Sequence, residues 1–171
     1  MIQAIFITQP ASGEYREKII DVPFREHVIR PWSWVLFCKD DYTEWVACLH
    51  GGENAYRHVD VVGNLAFVIA DGQGYFIDGQ TEELIYCTAE STIRSVVADD
   101  QNGLFAYTSD EGDLLVIDQS LVPRPVSLPF QFYTIKLEKI EGSLIQVRYE
   151  DRTTDEFKTD WVDMTEAGAA R

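Results

Sequence analysis

Two stretches near the middle of the sequence repeat one another, and this repeat limits the possible folds more than any other feature. Residues 64–78 align with residues 102–118, and each reads as an apolar strand, a turn rich in Gly and Asp, and a second apolar strand. Gly74 aligns with Gly112, and a weaker third copy begins at Glu141, so the period is about 40 residues. A repeat of this length built from short strands predicts a repetitive β architecture.

Strand-like runs recur along the whole chain, as short segments of β-branched, aromatic and alternating apolar residues. Turn-forming pairs such as Gly63-Asn64 and Asp71-Gly72 separate them. Gly and Asn reach positive φ angles at little cost, and tight hairpins need such angles. No segment has a convincing amphipathic helix pattern; Ser12–Ile20, with Ser12 as its cap, is the best candidate, and an irregular connector is an equal alternative. The predicted fold class is all-β.

The repeating unit resembles the blade of a β-propeller, which is also built of short antiparallel strands at a similar period. The resemblance rests on residues 59–122 and is weaker on either side, and the sequence has no WD or kelch signature. It implies antiparallel blade-like units that form a small or incomplete β-propeller, with a β-sandwich of similar hairpins as the alternative. It implies no activity, because a fold alone does not set a function.

The chain of 171 residues is long enough for one domain with a sizeable core. We expect a single all-β domain over residues 1–164, followed by a flexible tail over residues 165–171. The last unit is short of an outermost strand, and the strand at Ile2–Thr8 has no hairpin partner beside it, so we expect the two to pair. Proline removes ladder donors, so Pro123–Pro129 predicts an edge strand or a linker. The predicted blade-like units span about 24–50, 57–88, 92–122 and 131–164.

Negative charge concentrates in the middle of the sequence. Between His58 and Pro123 there is one basic residue, Arg94, against twelve acidic residues, in a chain with a net charge of −15. A surface of this kind repels nucleic acid and attracts basic proteins. Since the acids follow strand segments, we expect them to crowd the turns and to form a partner-binding surface. The predicted partner-binding acids are Asp71, Asp78, Glu82, Glu83, Asp99, Asp100, Asp110, Glu111 and Asp113.

Trp32 and Trp34 are separated by one residue, so they share one face of a strand. Packing in the core explains the pair, while a protein interface and a sugar-binding platform are the alternatives. We include both residues among the predicted partner-binding residues, because exposed aromatic side chains supply much of the binding energy at interfaces.

No motif points to catalysis, a metal or a cofactor. The sequence has no nucleophile elbow, no phosphate-binding loop and no EF-hand, so we predict no enzyme, no cofactor and no metal site. Cys38, Cys48 and Cys87 lie in apolar segments without zinc-site spacing, which predicts free thiols in a reducing compartment. With no basic residue before the first apolar run and no run of membrane-spanning length, we expect no signal peptide, no membrane partner and a cytoplasmic location.

Acidity without a catalytic motif favours an acidic protein-binding module that masks a basic partner. In size, acidity and lack of catalytic motif, the chain is similar to bacterial immunity proteins, which neutralise a cationic nuclease toxin. The expected partner is therefore a basic protein, such as a nuclease toxin domain, and no nucleic acid. An adaptor subunit of a larger assembly and a carbohydrate-binding module are the alternatives.

Overall fold

The computed structural model describes residues 2–20, 32–51, 56–88, 92–109 and 112–165. These residues form fifteen β-strands in four sheets and no α-helix, so the predicted all-β class is confirmed. No helix in this described part of the chain is long and apolar enough to cross a membrane. Contacts divide the chain into two compact units, Met1–Ser91 and Thr92–Arg171. The single-domain organisation of residues 1–164 stays a prediction.

The first sheet holds β1 (Gln3–Ile7), β2 (Glu17–Ile19), β3 (Trp32–Cys38) and β4 (Glu44–His50), in the order β1-β3-β4-β2. Strand β2 runs parallel to β4, and the other neighbours are antiparallel. Side chains of β3 alternate between buried and half-buried, because successive residues of a strand point to opposite faces.

One prediction for the N-terminal region is wrong, and of the two alternatives for Ser12–Ile20 the helix does not form. The strand predicted at Ile2–Thr8 does not complete the last unit, because β1 pairs with β3 from Gln3 to Ile7 and the last sheet contains three strands. Ser12–Ile20 does not form a helix: its first residues form a turn, and Glu17–Ile19 form the short strand β2. The backbone N–H and C=O groups of β2 pair with β4. Because β4 lies far along the chain, the residues near β2 contain no signal of this pairing.

The second sheet is a meander of β5 (Arg57–Val62), β6 (Leu65–Ala70), β7 (Gln73–Asp78) and β8 (Glu83–Cys87). Strands β6 and β7 are joined by the two-residue turn Asp71-Gly72, whose φ angles are both positive, at 55° and 77°. Two positive φ angles are typical of the type I′ hairpin turn, whose backbone twist matches the twist of the flanking strands. The first and second sheets share one core. Its fully buried members include Val35, Phe37, Trp45, Val68, Tyr75 and Ile77.

The second unit contains two sheets. The third sheet consists of β9 (Ile93–Asp99), β10 (Leu104–Ser109), β11 (Leu114–Asp118) and β12 (Arg124–Val126). The fourth sheet consists of β13 (Phe132–Glu141), β14 (Leu144–Asp151) and β15 (Phe157–Asp163). Strand β12 lies at a sheet edge and contains Pro125, as the edge-strand alternative predicts. The two sheets share a core that includes Ala106, Leu114, Val116, Leu137, Ile145 and Val147.

The four sheets fall close to the four predicted ranges. The second and fourth sheets lie within 57–88 and 131–164, whereas the third extends past 122 to Val126 because β12 adds an edge strand. In the first sheet, β3 and β4 lie within the predicted range 24–50, whereas β1 and β2 precede that range. Residues 24–31 of the first predicted unit and 166–171 of the predicted tail lie outside the described residues.

Candidate partner-binding site

The predicted acids of the second sheet lie at two ends of the meander, because successive turns of a meander alternate between ends. Asp78 and Glu83 are directly opposite each other where β7 and β8 meet. Asp71 lies in the β6–β7 turn, at the opposite end of the sheet. The structure therefore brings Asp78 and Glu83 together and separates them from Asp71.

The third sheet divides its acids in the same way. Asp99 and Asp118 lie on either side of Leu104 in one row across the sheet, so they are two strand spacings, about 10 Å, apart. Asp100 follows Asp99 in the β9–β10 turn and is exposed. Asp113 is exposed at the other end of the sheet, next to β11. Asp110 and Glu111 lie outside the described residues.

Three acids cap the turns in which they lie. One carboxylate oxygen of each accepts hydrogen bonds of 2.8–3.2 Å from backbone N–H groups two or three positions ahead. The hydrogen bonds from Ser120, together with the positive charge of Arg124, lower the pKa of Asp118 below its ordinary value of 3.8. Bonds to a charged carboxylate stabilise it and fix its direction. The three capping residues are Asp78, Asp99 and Asp118.

Glu82 differs from the other predicted acids because its carboxylate is enclosed. Its side chain is 8% exposed, and it forms ion pairs with Arg16 and with Lys39, whose Nζ lies 2.7 Å from Oε1. Lys18 donates a hydrogen bond of 2.6 Å to the backbone carbonyl of Glu82. Three cations of the first sheet region thus converge on one residue of the second sheet. Glu82 holds these two sheets together rather than presenting a charge to the surface.

Trp32 and Trp34 lie on the face of the first sheet that points away from its core. Both are half-buried, and the Trp32 ring lies 4.1 Å from the ring of His50. The register places Ile5 and Ile19 on the same face, and they are 58% and 64% exposed. The result is an apolar face with polar residues at its margin.

Sequence reasoning missed a set of exposed aromatic residues on the fourth sheet. Three of its aromatic side chains, with exposed fractions of 40–64%, each lie beneath the charged group of a Lys or Arg. Only the pair of Arg148 and Phe157 lies wholly within the basic and aromatic residues of Leu144–Asp163, so the sequence there could have signalled this pair alone. The pairs are Lys139 over Trp161, Arg148 over Phe157 and Arg152 over Tyr133, at 5.1–5.3 Å from the ring centroid.

Within the described ranges, no group of three His, Cys, Asp or Glu side chains is placed to hold a metal ion. The nearest arrangements are pairs. His58 lies 2.9 Å from Asp60, and the Cys48 thiol donates to Glu17 over 3.5 Å. Burial, together with this hydrogen bond and the charge of Glu17, raises the pKa of Cys48 to about 11, so the residue stays a neutral thiol at neutral pH.

Comparison with known proteins places the chain in no family. No family model matches it, and no curated protein matches it. Among solved structures, it is similar to PorZ, described as an essential bacterial surface component of the type-IX secretion system of Porphyromonas gingivalis, with 12% sequence identity and a TM-score of 0.46. The similarity covers 75% of this chain and 20% of PorZ, so the chain spans one fifth of that protein's length.

Proposed function

We propose that this chain is an acidic protein-binding module that masks a basic partner. The observation that carries the proposal is the end of the third sheet, where Asp99, Asp100 and Asp118 lie along one edge, with Asp99 and Asp118 two strand spacings apart. Asp99 and Asp118 are already fixed by backbone hydrogen bonds of their own turns. Carboxylates held in this way lose little conformational freedom when they bind Lys or Arg side chains, so more of the interaction energy contributes to affinity.

The most concrete form of the proposal is an immunity protein that neutralises a nuclease toxin. A nuclease presents Lys and Arg side chains to the phosphates of its substrate, and a rigid set of carboxylates can occupy the same positions. The net charge of −15 would also steer a cationic partner toward the chain, with association rates up to about 10⁸ M⁻¹s⁻¹ at low salt.

The finer fold that we propose is a small or incomplete β-propeller. The second and third sheets support it, because each is a four-stranded meander whose strands follow one another in chain order. This is the arrangement of strands within a propeller blade. A β-sandwich built of similar hairpins is the alternative.

Affinity capture from a lysate of the native host, at low and at high salt, tests the proposed function. The wild-type chain is compared with the variant D99N/D100N, because Asn removes the charge and keeps an oxygen that can cap the turn. E138Q/E156Q is the matched control, since it removes two exposed charges elsewhere in the same unit. We expect the wild type and the control to capture one basic protein at low salt, with weaker capture at high salt. Association kinetics with that protein should show a slower on-rate and a flatter salt dependence for D99N/D100N.

Two results would contradict the masking function. One is equal capture and an equal on-rate for the wild type and D99N/D100N, because the proposal rests on the carboxylates at the end of the third sheet. The other is a set of several proteins whose capture does not respond to salt, because ionic strength screens charge-driven contacts and leaves apolar ones intact.

The second candidate function is an adaptor subunit, and the apolar face of the first sheet favours it. Exposed Ile5 and Ile19 flank the half-buried Trp34 on this face. An adaptor held by this face would be captured with its partners at any salt, and I19E should abolish that capture while D99N/D100N leaves it intact. The carbohydrate-binding alternative needs a free indole face, whereas the Trp32 ring already packs against the His50 ring, with centroids 4.1 Å apart and planes tilted by 30°. Titration of tryptophan fluorescence with sugars tests it.

A further inference from the structure

The fourth sheet ends in a long strand with an open edge. The other three sheets have four strands, and the fourth has three, in the order β13-β14-β15. In the described part of the chain, β15 pairs with β14 alone, from Phe157 opposite Glu150 to Asp163 opposite Leu144. Among the described residues, one whole side of this seven-residue strand therefore has no ladder partner.

Two of the other outer strands, β2 and β12, are protected in ways that β15 is not. Strands β2 and β12 have three residues each, and β12 contains Pro125. Short strands and prolines are devices by which natural proteins keep a sheet edge from pairing with another chain. β15 has neither, and Phe157 and Trp161 on its outward face are 64% and 40% exposed.

The sequence of β15 is complementary to itself when two copies run antiparallel. With Thr159 opposite its own copy, Phe157 falls opposite Trp161, and Lys158 falls opposite Asp160. Aromatic pairs, Thr pairs and pairs of opposite charge are the cross-strand combinations that stabilise sheets. A register centred on Lys158 or on Asp160 would instead place like charges opposite each other at its centre.

We infer that the chain forms a symmetric dimer through antiparallel pairing of β15 with β15 of a second copy, centred on Thr159. The two fourth sheets then become one six-stranded sheet. The contact is isologous, so the two copies of β15 close each other's open edge and the pairing stops at two chains. The interface as a whole contains two Lys158–Asp160 contacts and two Phe157–Trp161 contacts, each between residues of different copies.

Contacts within each chain hold the two charged side chains in position for this pairing. Lys158 Nζ donates to Asp151 Oδ2 at 2.5 Å, and Asp160 Oδ2 accepts from the Tyr149 hydroxyl at 2.7 Å. An ammonium has three donors and a carboxylate has several acceptor sites, so each group keeps capacity for a partner across the dimer.

Charge exchange on the full-length chain tests the inference, with sedimentation velocity over a wide concentration range as the measurement. We expect the wild type to be a reversible dimer. K158D and D160K should each raise the dimer dissociation constant about tenfold or more, because each places two like-charge pairs at the interface. An equimolar mixture of K158D and D160K should dimerise again, and so should the double variant K158D/D160K, since both restore opposite charges. K136D is the matched control on the far strand β13 and should remain a dimer.

Cross-linking is a second test, and it does not depend on whether the charge variants fold. Opposite residues of an antiparallel pair have Cα atoms about 4.5–5.5 Å apart, which is within the range of a disulfide. T159C should therefore form a disulfide-linked dimer under mild oxidation. F157C is the control: its two copies would be displaced by four residues, about 13 Å, and should not cross-link.

A wild-type chain that stays monomeric at every concentration would overturn the inference. Dimers of K158D and D160K that are as stable as the wild type, or a mixture of the two that stays monomeric, would also overturn it. A dimer cross-linked equally well by F157C and T159C would exclude the proposed register.

Discussion

Lys39 donates a hydrogen bond of 2.7 Å from Nζ to Oε1 of Glu82, although the two residues are 43 positions apart in the chain. The contact joins the end of β3 to the β7–β8 turn, and so it links the two sheets of the first unit. The side chains are 16% and 8% exposed, so solvent screens the pair less than it would at the surface. Glu82 itself has a φ of 67°, which a non-glycine residue adopts only at some cost.

Replacement of Glu82 by Gln should destabilise the chain by about 2 kcal/mol at neutral pH, because Lys39 and Arg16 lose a charged acceptor. Burial alone would raise the pKa of Glu82, but hydrogen bonds and charges of Lys39 and Arg16 lower it below the ordinary value of 4.5. A lowered folded pKa contributes stability above pH 4.5, and that contribution is lost as the pH falls through the folded pKa.

Urea unfolding of the wild type and E82Q from neutral to acid pH measures this effect. The difference between the two proteins should be largest near neutral pH and should shrink below about pH 4. E83Q, at the exposed neighbouring position, is the control and should stay within about 0.5 kcal/mol of the wild type. A difference between E82Q and the wild type that does not change with pH would contradict the assignment.

Ser95 should contribute to the stability of the second unit through one buried hydrogen bond. Its hydroxyl oxygen accepts from the backbone N–H of Leu137 over 2.9 Å, which ties β9 to β13. S95A leaves that N–H without a partner in a buried position, so we expect a loss of about 1–3 kcal/mol. Hydrogen exchange should show faster exchange at the Leu137 amide in particular. T134A, an exposed change on β13, is the control, and equal losses for the two variants would argue against the role of this bond.

Cys48 should resist alkylation in the folded chain. Its raised pKa of about 11, against an ordinary value of 9.0, lowers the thiolate fraction near pH 8 about a hundredfold, and only the thiolate reacts. Labelling with iodoacetamide followed by mass spectrometry measures the rate. E17Q should speed the reaction, because it removes a negative charge beside the thiol, and E44Q on the same strand as Cys48 should not. Identical rates for wild type and E17Q would exclude Glu17 as a cause.

The sequence predicts the local features of this fold better than the long-range ones. Two local features depend only on neighbouring residues, so the sequence predicts them. They are the Asp71-Gly72 turn and the alternation along β3 that places Trp32 and Trp34 on one face. The short strand β2 exists because β4 offers it a parallel edge, and residues Ser12–Ile20 fit a helix equally well when that edge is unknown.

The candidate site shows the same division. That acids lie in the turns follows from the sequence, but which turns share an end depends on the order of the strands. In the sequence, Glu82 cannot be distinguished from the other acidic residues of the turns. The structure shows that Arg16 and Lys39, from the region of the first sheet, form ion pairs with it. Likewise, the cation above Trp161 comes from β13, two strands away from β15, so no local pattern could assign it.

The strand order β1-β3-β4-β2 has a consequence for synthesis on the ribosome. Residues 3–19 supply both outer strands of the first sheet, yet the hairpin of β3 and β4 between them is translated later. Strand β1 must therefore wait, unpaired, until β3 has emerged, and β2 must wait until β4 has emerged. A pause in translation within β3 or β4 would prolong the exposure of this segment to chaperones and proteases.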